Sequence, residues 1–193
     1  MRIISGKYKG RVIKMPTGIR PTQNKVRKAL FDILADVKGF EVLELFAGSG
    51  AIGLEALSWG AKRVVFVENN RNTLKFLKSN LSFLPQDSYE IIPLDVGKAL
   101  KLLLRRGEKF DFVFLDPPYQ GSLSKKTLQR LSACDILTRY GYVVIQHFGK
   151  VVLPEAAGRL TCWRNARYGD TILTFYRKSD KGATPKQSGL SIY

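Results

Sequence analysis

Cysteine and histidine are nearly missing from this chain of 193 residues: it has two cysteines, Cys134 and Cys162, and one histidine, His147. No CxxC pair exists, so neither a zinc site nor a disulfide-stapled secreted module fits, and the thiols read as inert groups in a reducing compartment. Acidic side chains are scarce, 16 Asp and Glu against 32 Lys and Arg, which leaves a formal net charge of +16. That excludes an acidic partner mimic and makes a polyanion the first partner to consider. No apolar run has the length of a membrane span. Met1-Arg2-Ile3-Ile4-Ser5-Gly6 lacks the apolar stretch of a signal peptide, so a cytoplasmic location is expected.

The charge is unevenly spread. Residues 1–28 hold nine basic side chains and no acidic one, while the other 165 residues hold 23 basic and 16 acidic. An unbroken segment of one sign opposes its own compaction unless phosphates neutralise it. Apolar residues flank the Gly6 to Gly10 stretch, which predicts a β-hairpin with a basic tip over residues 1–18. A catalytic domain is expected over 19–177. Lys, Ser, Gly, Pro and Gln dominate 178–193, which reads as a flexible tail.

Between these ends, strand and helix patterns alternate. Pro21 at the first helical position or Thr22 as N-cap opens a helix striped by Val26, Ala29, Leu30, Ile33 and Leu34. Apolar strand cores are predicted at Val42–Phe46, Val64–Val67, Tyr89–Leu94, Phe110–Leu115 and Tyr142–Ile145. Helices are predicted over Ala51–Trp59, through the Leu74 to Leu84 and Val96 to Leu104 stripes, and less regularly over Leu123–Leu137. A closing antiparallel hairpin, Leu160–Tyr168 with Thr171–Tyr176, turns at Gly169-Asp170. Alternation of this kind means a parallel sheet covered on both faces, with ligands outside the carboxyl ends of the strands.

Those ends carry the chemistry. Gly48-Ser49-Gly50-Ala51-Ile52-Gly53 is a G-x-G-x-x-G string after the first strand, and Glu68 follows Gly48 by 20 positions. The combination signals a nucleoside cofactor. It does not separate a nicotinamide dinucleotide from S-adenosylmethionine, although Glu44, four positions before Gly48, would oppose a pyrophosphate and attract an ammonium. Asp95 offers an acceptor for an adenine amine, or serves only as a helix N-cap.

Asp116-Pro117-Pro118-Tyr119 follows the fourth strand and decides between the cofactors. Two prolines remove two N–H donors, so the turn presents backbone carbonyls, a carboxylate and an aromatic face. Such a turn can accept the hydrogens of an exocyclic nucleobase amine, stack on the base and localise the nitrogen lone pair toward a methyl sulfonium. His147 is not needed by that chemistry. The target base has to leave its stack to reach such a pocket.

The Glu44–Gly50 and Gly53–Leu57 segments with Asp116–Tyr119 resemble the class I amino-methyltransferases. With Arg20-Pro21-Thr22, Val26–Phe31 and Tyr168–Thr171, the chain is similar to the RsmD family, bacterial 16S ribosomal RNA guanine-N2 methyltransferases. The resemblance implies an α/β, Rossmann-like fold with a mostly parallel seven-stranded sheet, an antiparallel C-terminal hairpin and an N-terminal RNA-binding hairpin. It implies a catalytic turn of Asp116, Pro117, Pro118 and Tyr119. It implies S-adenosylmethionine held by Thr22, Glu44, Phe46, Gly48, Ser49, Gly50, Glu68, Asn69, Asp95, Val96 and Asp116. Within that set Gly48, Ser49 and Gly50 would border the methionine part, Glu68 the ribose and Asp95 the adenine. Arg2, Lys7, Lys9, Arg11, Lys14 and Arg20 would contact RNA. The expected partner is 16S ribosomal RNA or a small-subunit assembly particle, with no metal, no membrane and a monomeric enzyme. Adenine-N6 methylation of RNA or DNA, and an RNA-binding assembly protein with a vestigial cofactor site, are the rival readings. Gln146 and His147 stand where an acidic residue is expected of the family, so that position has no assigned role.

Overall fold

The structure is a computed structural model that describes residues 1–15, 24–118 and 121–179. Thr22, Arg20 and Tyr119, and the tail beyond 179, lie outside the described residues.

Strands β1 (Glu41–Leu45), β2 (Arg63–Val67), β3 (Tyr89–Ile92), β4 (Phe110–Leu115) and β5 (Leu137–Phe148) alternate with helices α2 (Ala51–Ser58), α3 (Arg71–Leu81), α4 (Val96–Arg105) and α5 (Gly121–Ala133). Helix α1 (Asn24–Leu34) precedes them, and β6 (Ala156–Ala157), β7 (Leu160–Tyr168) and β8 (Thr171–Lys178) follow. They form one eight-stranded sheet in the order β3-β2-β1-β4-β5-β8-β7-β6. β1 to β5 pair in parallel, whereas β8, β7 and β6 add on antiparallel. The eighth strand, beyond the seven expected, is the two-residue β6 at the edge.

Alternation along the strands builds two cores. Val42, Val64, Phe66, Phe112, Phe114, Val144 and Phe175 face one way, against Leu30 and Phe31 of α1, Leu54 of α2 and Leu77 and Leu81 of α3. Leu43, Leu45, Val65, Val67, Val113, Leu115, Val143 and Ile145 face the other way, against α4 and α5. Strands buried on both faces explain the continuous apolar runs.

The structure shifts several expected boundaries. The fifth helix stops at Ala133 rather than Leu137, because Ile136 and Leu137 are drawn into the sheet: Phe110 N–H donates to Ile136 O and Leu137 registers with Phe110. β5 is therefore twelve residues long, and β3 ends at Ile92. Lys178 belongs to β8 and not to the tail; its ammonium bonds Leu137 O at 2.6 Å and Asp135 at 2.9 Å.

Among the described residues, the N-terminal hairpin is a single antiparallel bridge, Arg2 with Val12. Ile3 and Ile13 are buried in the α1–α3 core, so the segment is packed onto the sheet domain. Glu55 of α2 holds it: its carboxylate accepts from Ile4 N at 2.9 Å and Ser5 N at 2.8 Å, and lies 3.3 Å from the buried Arg27 guanidinium. Arg27 is thus a structural cation inside the basic run. No helix among the described residues is long and apolar enough to cross a membrane.

Candidate active site

Parallel register aligns the candidate residues. Leu45 pairs with Val67 and with Leu115, and Leu115 pairs with Ile145. The next residue of each strand therefore falls in one row across the carboxyl rim, in the order Glu68, Phe46, Asp116, Gln146. The sheet order reverses between β1 and β4, where ligands bind in sheets of this kind.

The chain leaves β1 in a tight turn. Phe46 has φ 59° and Gly48 φ 57°, and Gly50 N–H donates to Ala47 O at 2.7 Å. Gly50 also has positive φ, 77°, and an added Cβ there would lie 2.6 Å from Leu77 Cδ1. At Gly53 a Cβ would lie 2.4 Å from the Phe66 ring, so this glycine lets α2 settle directly on β2.

Gly50 offers α2 no side-chain cap, and Glu44 supplies one from the strand below. Its carboxylate accepts from Gly53 N at 2.8 Å and Ile52 N at 3.3 Å. Burial pushes the Glu44 carboxyl up to about 8, the two amide bonds oppose the rise, and the charges of Asp116 and Glu68 add to it. Glu68 clips the neighbouring turn. One oxygen accepts from Gly48 N at 2.9 Å, and the other from Asn69 N at 2.9 Å and Asn70 N at 2.8 Å. Asp95 is the N-cap of α4 and accepts from Lys98 N at 3.1 Å, while its side chain remains 47% exposed. Val96 begins α4 and packs into the second core.

These bonds test the cofactor class. The amides that would cradle a pyrophosphate, those of Gly48, Ile52 and Gly53, already face the protein's own carboxylates. A dinucleotide does not fit such a loop. A ligand carrying an ammonium and a sulfonium does, because Glu68, Asp95 and Asp116 concentrate negative potential on the rim of a strongly basic chain. Among the described residues, no cluster of three or more His, Cys, Asp or Glu could hold a metal.

Asp116 accepts from Gln146 Nε2 at 2.9 Å. Pro117 is buried and Pro118 exposed. His147 is used up locally: Nδ1 lies 2.9 Å from Phe148 O and Nε2 lies 2.8 Å from Thr174 Oγ1, and burial lowers its pKa.

Two side chains that touch these residues had no role assigned from sequence. Gln146 is one. Asn80 is the other: this buried side chain accepts from Lys14 N at 2.9 Å and donates to Lys14 O at 2.9 Å and to Ser49 O at 3.0 Å. It ties the basic N-terminal segment to the glycine loop. A polar residue inside the Leu77–Leu81 apolar stripe was the available signal.

Arg2, Lys7, Lys9, Arg11 and Lys14 are all exposed. Arg2 donates to Gly10 O at 2.7 Å, Lys14 Nζ reaches Ser79 Oγ at 3.3 Å, and the Arg11 guanidinium stacks 3.5 Å from the Phe83 ring centroid. Phe83 meets Tyr8 edge-on at 5.3 Å, so an aromatic pair backs the basic loop.

The model of the family described as conserved hypothetical protein 95, the RsmD family, matches residues 1–177. The chain belongs to the RsmD family. Among relatives of this RsmD-family chain, the Bacillus subtilis (strain 168) protein YlbH is 36% identical over 182 residues, covering 92% of this chain and 99% of that protein. Ribosomal RNA small subunit methyltransferase D of Escherichia coli (strain K12) is 30% identical over 185 residues, covering 94% and 92%. The solved structure of a Thermus thermophilus hypothetical protein superposes with a TM-score of 0.79 at 32% identity, covering 91% of this chain and 98% of that one. The RsmD-type match thus spans the N-terminal basic segment, the glycine loop and the turn after β4 together.

Proposed function

We propose that this chain transfers a methyl group from S-adenosylmethionine to the exocyclic N2 amine of a guanine in small-subunit ribosomal RNA, acting as a cytoplasmic monomer on the RNA or an assembling subunit. The observation that carries the reading is the Asp116 carboxylate, set in the same rim row as the glycine loop and held there by Gln146. Support for the RNA comes from the E. coli relative, a ribosomal RNA small subunit methyltransferase, and from the exposed basic loop.

Gly48, Ser49 and Gly50 with Glu44 would hold the methionine part of the cofactor, Glu68 and Asn69 the ribose, and Asp95 and Val96 the adenine, with Phe46 and Asp116 beside the reacting end. Thr22 would line the same pocket. The bound cofactor supplies an activated methyl on a sulfonium, so no metal is required. The Asp116 carboxylate accepts a hydrogen of the guanine amine, which draws the nitrogen lone pair out of conjugation with the ring. The same carboxylate is placed to receive the proton that the nitrogen sheds once it is cationic. Pro117 and Pro118 contribute no N–H, so neither can donate to that nitrogen. Tyr119 would stack on the base. Arg2, Lys7, Lys9, Arg11, Lys14 and Arg20 would bind the RNA backbone, with residues 1–18 as the RNA-engaging part of the molecule.

The test is to incubate protein, S-adenosylmethionine and 16S ribosomal RNA, digest the product to nucleosides and compare it with standards. N2-methylguanosine is expected. Methyladenosine, or unmodified nucleosides with both naked RNA and small-subunit particles, would overturn the reading.

A further inference from the structure

Asp116 alone cannot tell guanine from adenine, since both bases offer an exocyclic amine. The residue beside it can. Gln146 stands next to Asp116 in the rim row and donates its Nε2–H to Asp116 Oδ2 at 2.9 Å. An ionised carboxylate only accepts, so this bond fixes the amide: nitrogen toward Asp116, Oε1 away from it. That oxygen is buried and has no hydrogen-bond partner among the described residues. The other two such atoms are answered by opposite charge, Arg27 Nε at 3.3 Å from Glu55 and Glu41 Oε2 at 3.6 Å from Arg63. Gln146 Oε1 has no such answer among the described residues. A buried acceptor left unpaired disfavours the free state and is relieved when a donor arrives.

We propose that Gln146 is the residue that selects guanine, its Oε1 accepting the guanine N1–H while Asp116 accepts the neighbouring amine. The inference rests on the guanine-N2 reading and deepens it. Guanine presents its N1–H and N2–H side by side on one edge, the pair of donors that acceptors on two neighbouring side chains would take. Adenine would set its N1 lone pair against Oε1, and cytosine its N3 lone pair, so the orphaned acceptor would remain unpaired or be opposed. A glutamine also suits the position electrostatically, because its amide orients Asp116 without adding a second negative charge to it.

The experiment uses 2-aminopurine, which keeps the reacting amine and replaces the N1–H donor by a lone pair. The modified guanine is first located by mass mapping of methylated 16S transcript, then replaced by 2-aminopurine in synthetic RNA of the same sequence. Wild-type protein is expected to prefer guanine by about 10–100-fold in kcat/KM. Gln146→Leu should compress that ratio about tenfold, as should Gln146→Met, whose shape is closer to the original. Differences in intrinsic nucleophilicity between the bases are common to all three proteins and cancel. Should a variant be inactive, the same ratio is read from RNA affinities for the protein–S-adenosylhomocysteine complex, with the thermal midpoint reporting its fold. An uncompressed ratio in the folded variants overturns the role of Gln146 while leaving the methyltransferase reading intact. Absence of methylguanosine with wild-type protein overturns the reading itself.

Discussion

The Gly53 N–H at the start of α2 donates to the Glu44 carboxylate at 2.8 Å, so a strand residue caps the helix that follows the glycine loop. The helix N-terminus stabilises the negative charge, yet burial dominates and raises the carboxyl to about 8.

This relationship sets a pH dependence. A carboxyl raised from 4.5 to about 8 on folding favours the folded state while it is protonated. Its contribution is full below about pH 4.5 and is lost as pH rises through 8. Glu44→Gln keeps one acceptor and removes the titration. Urea midpoints measured from pH 5 to 9 should fall with pH in the wild type relative to the variant; parallel curves would refute the assignment.

Asp116→Ala removes the acceptor for the amine and leaves the glycine loop in place. Turnover should drop by about 10²–10⁴-fold. Calorimetric affinity for S-adenosylmethionine should fall far less than turnover does. Near-normal turnover would remove Asp116 from the chemistry.

The basic loop makes a prediction about salt. Lys9 and Arg11 are exposed at its tip, backed by Phe83 and Tyr8. If each neutralises one RNA phosphate, Lys9→Ala and Arg11→Ala should each flatten the log–log salt dependence of RNA binding by about 0.7–0.9. An unchanged slope in the double variant would move the RNA surface elsewhere.

Asn80→Ala leaves Ser49 O without its side-chain partner in a buried place and the Lys14 backbone groups without theirs in a partly buried one. Destabilisation by about 3 kcal/mol is expected, read as a lower urea midpoint at unchanged m-value. A cost within experimental error would show that water replaces the amide.

The strands and helices of the sheet domain were legible because their signals are local: apolar runs for β1, β2 and β4, and striped segments for α1, α3 and α4. Asp95 as an N-cap was legible for the same reason. The end of α5 was not, because Ile136 and Leu137 answer to β4 rather than to their chain neighbours.

The sequence by itself determined the alternating architecture, the concentration of positive charge in residues 1–28 and the residues at the strand ends, since each depends on composition or on spacing within one segment. Only the tertiary structure decided which of those residues stand side by side. Strand register sets Glu68, Phe46, Asp116 and Gln146 in one row although they lie far apart in the chain. It also turned Glu44 inward onto α2, joined Asn80 to both Lys14 and Ser49, and left the Gln146 amide oxygen buried and without a partner among the described residues. Hydrogen bonding and desolvation act through space over a few ångströms, and distance along the chain does not specify that proximity.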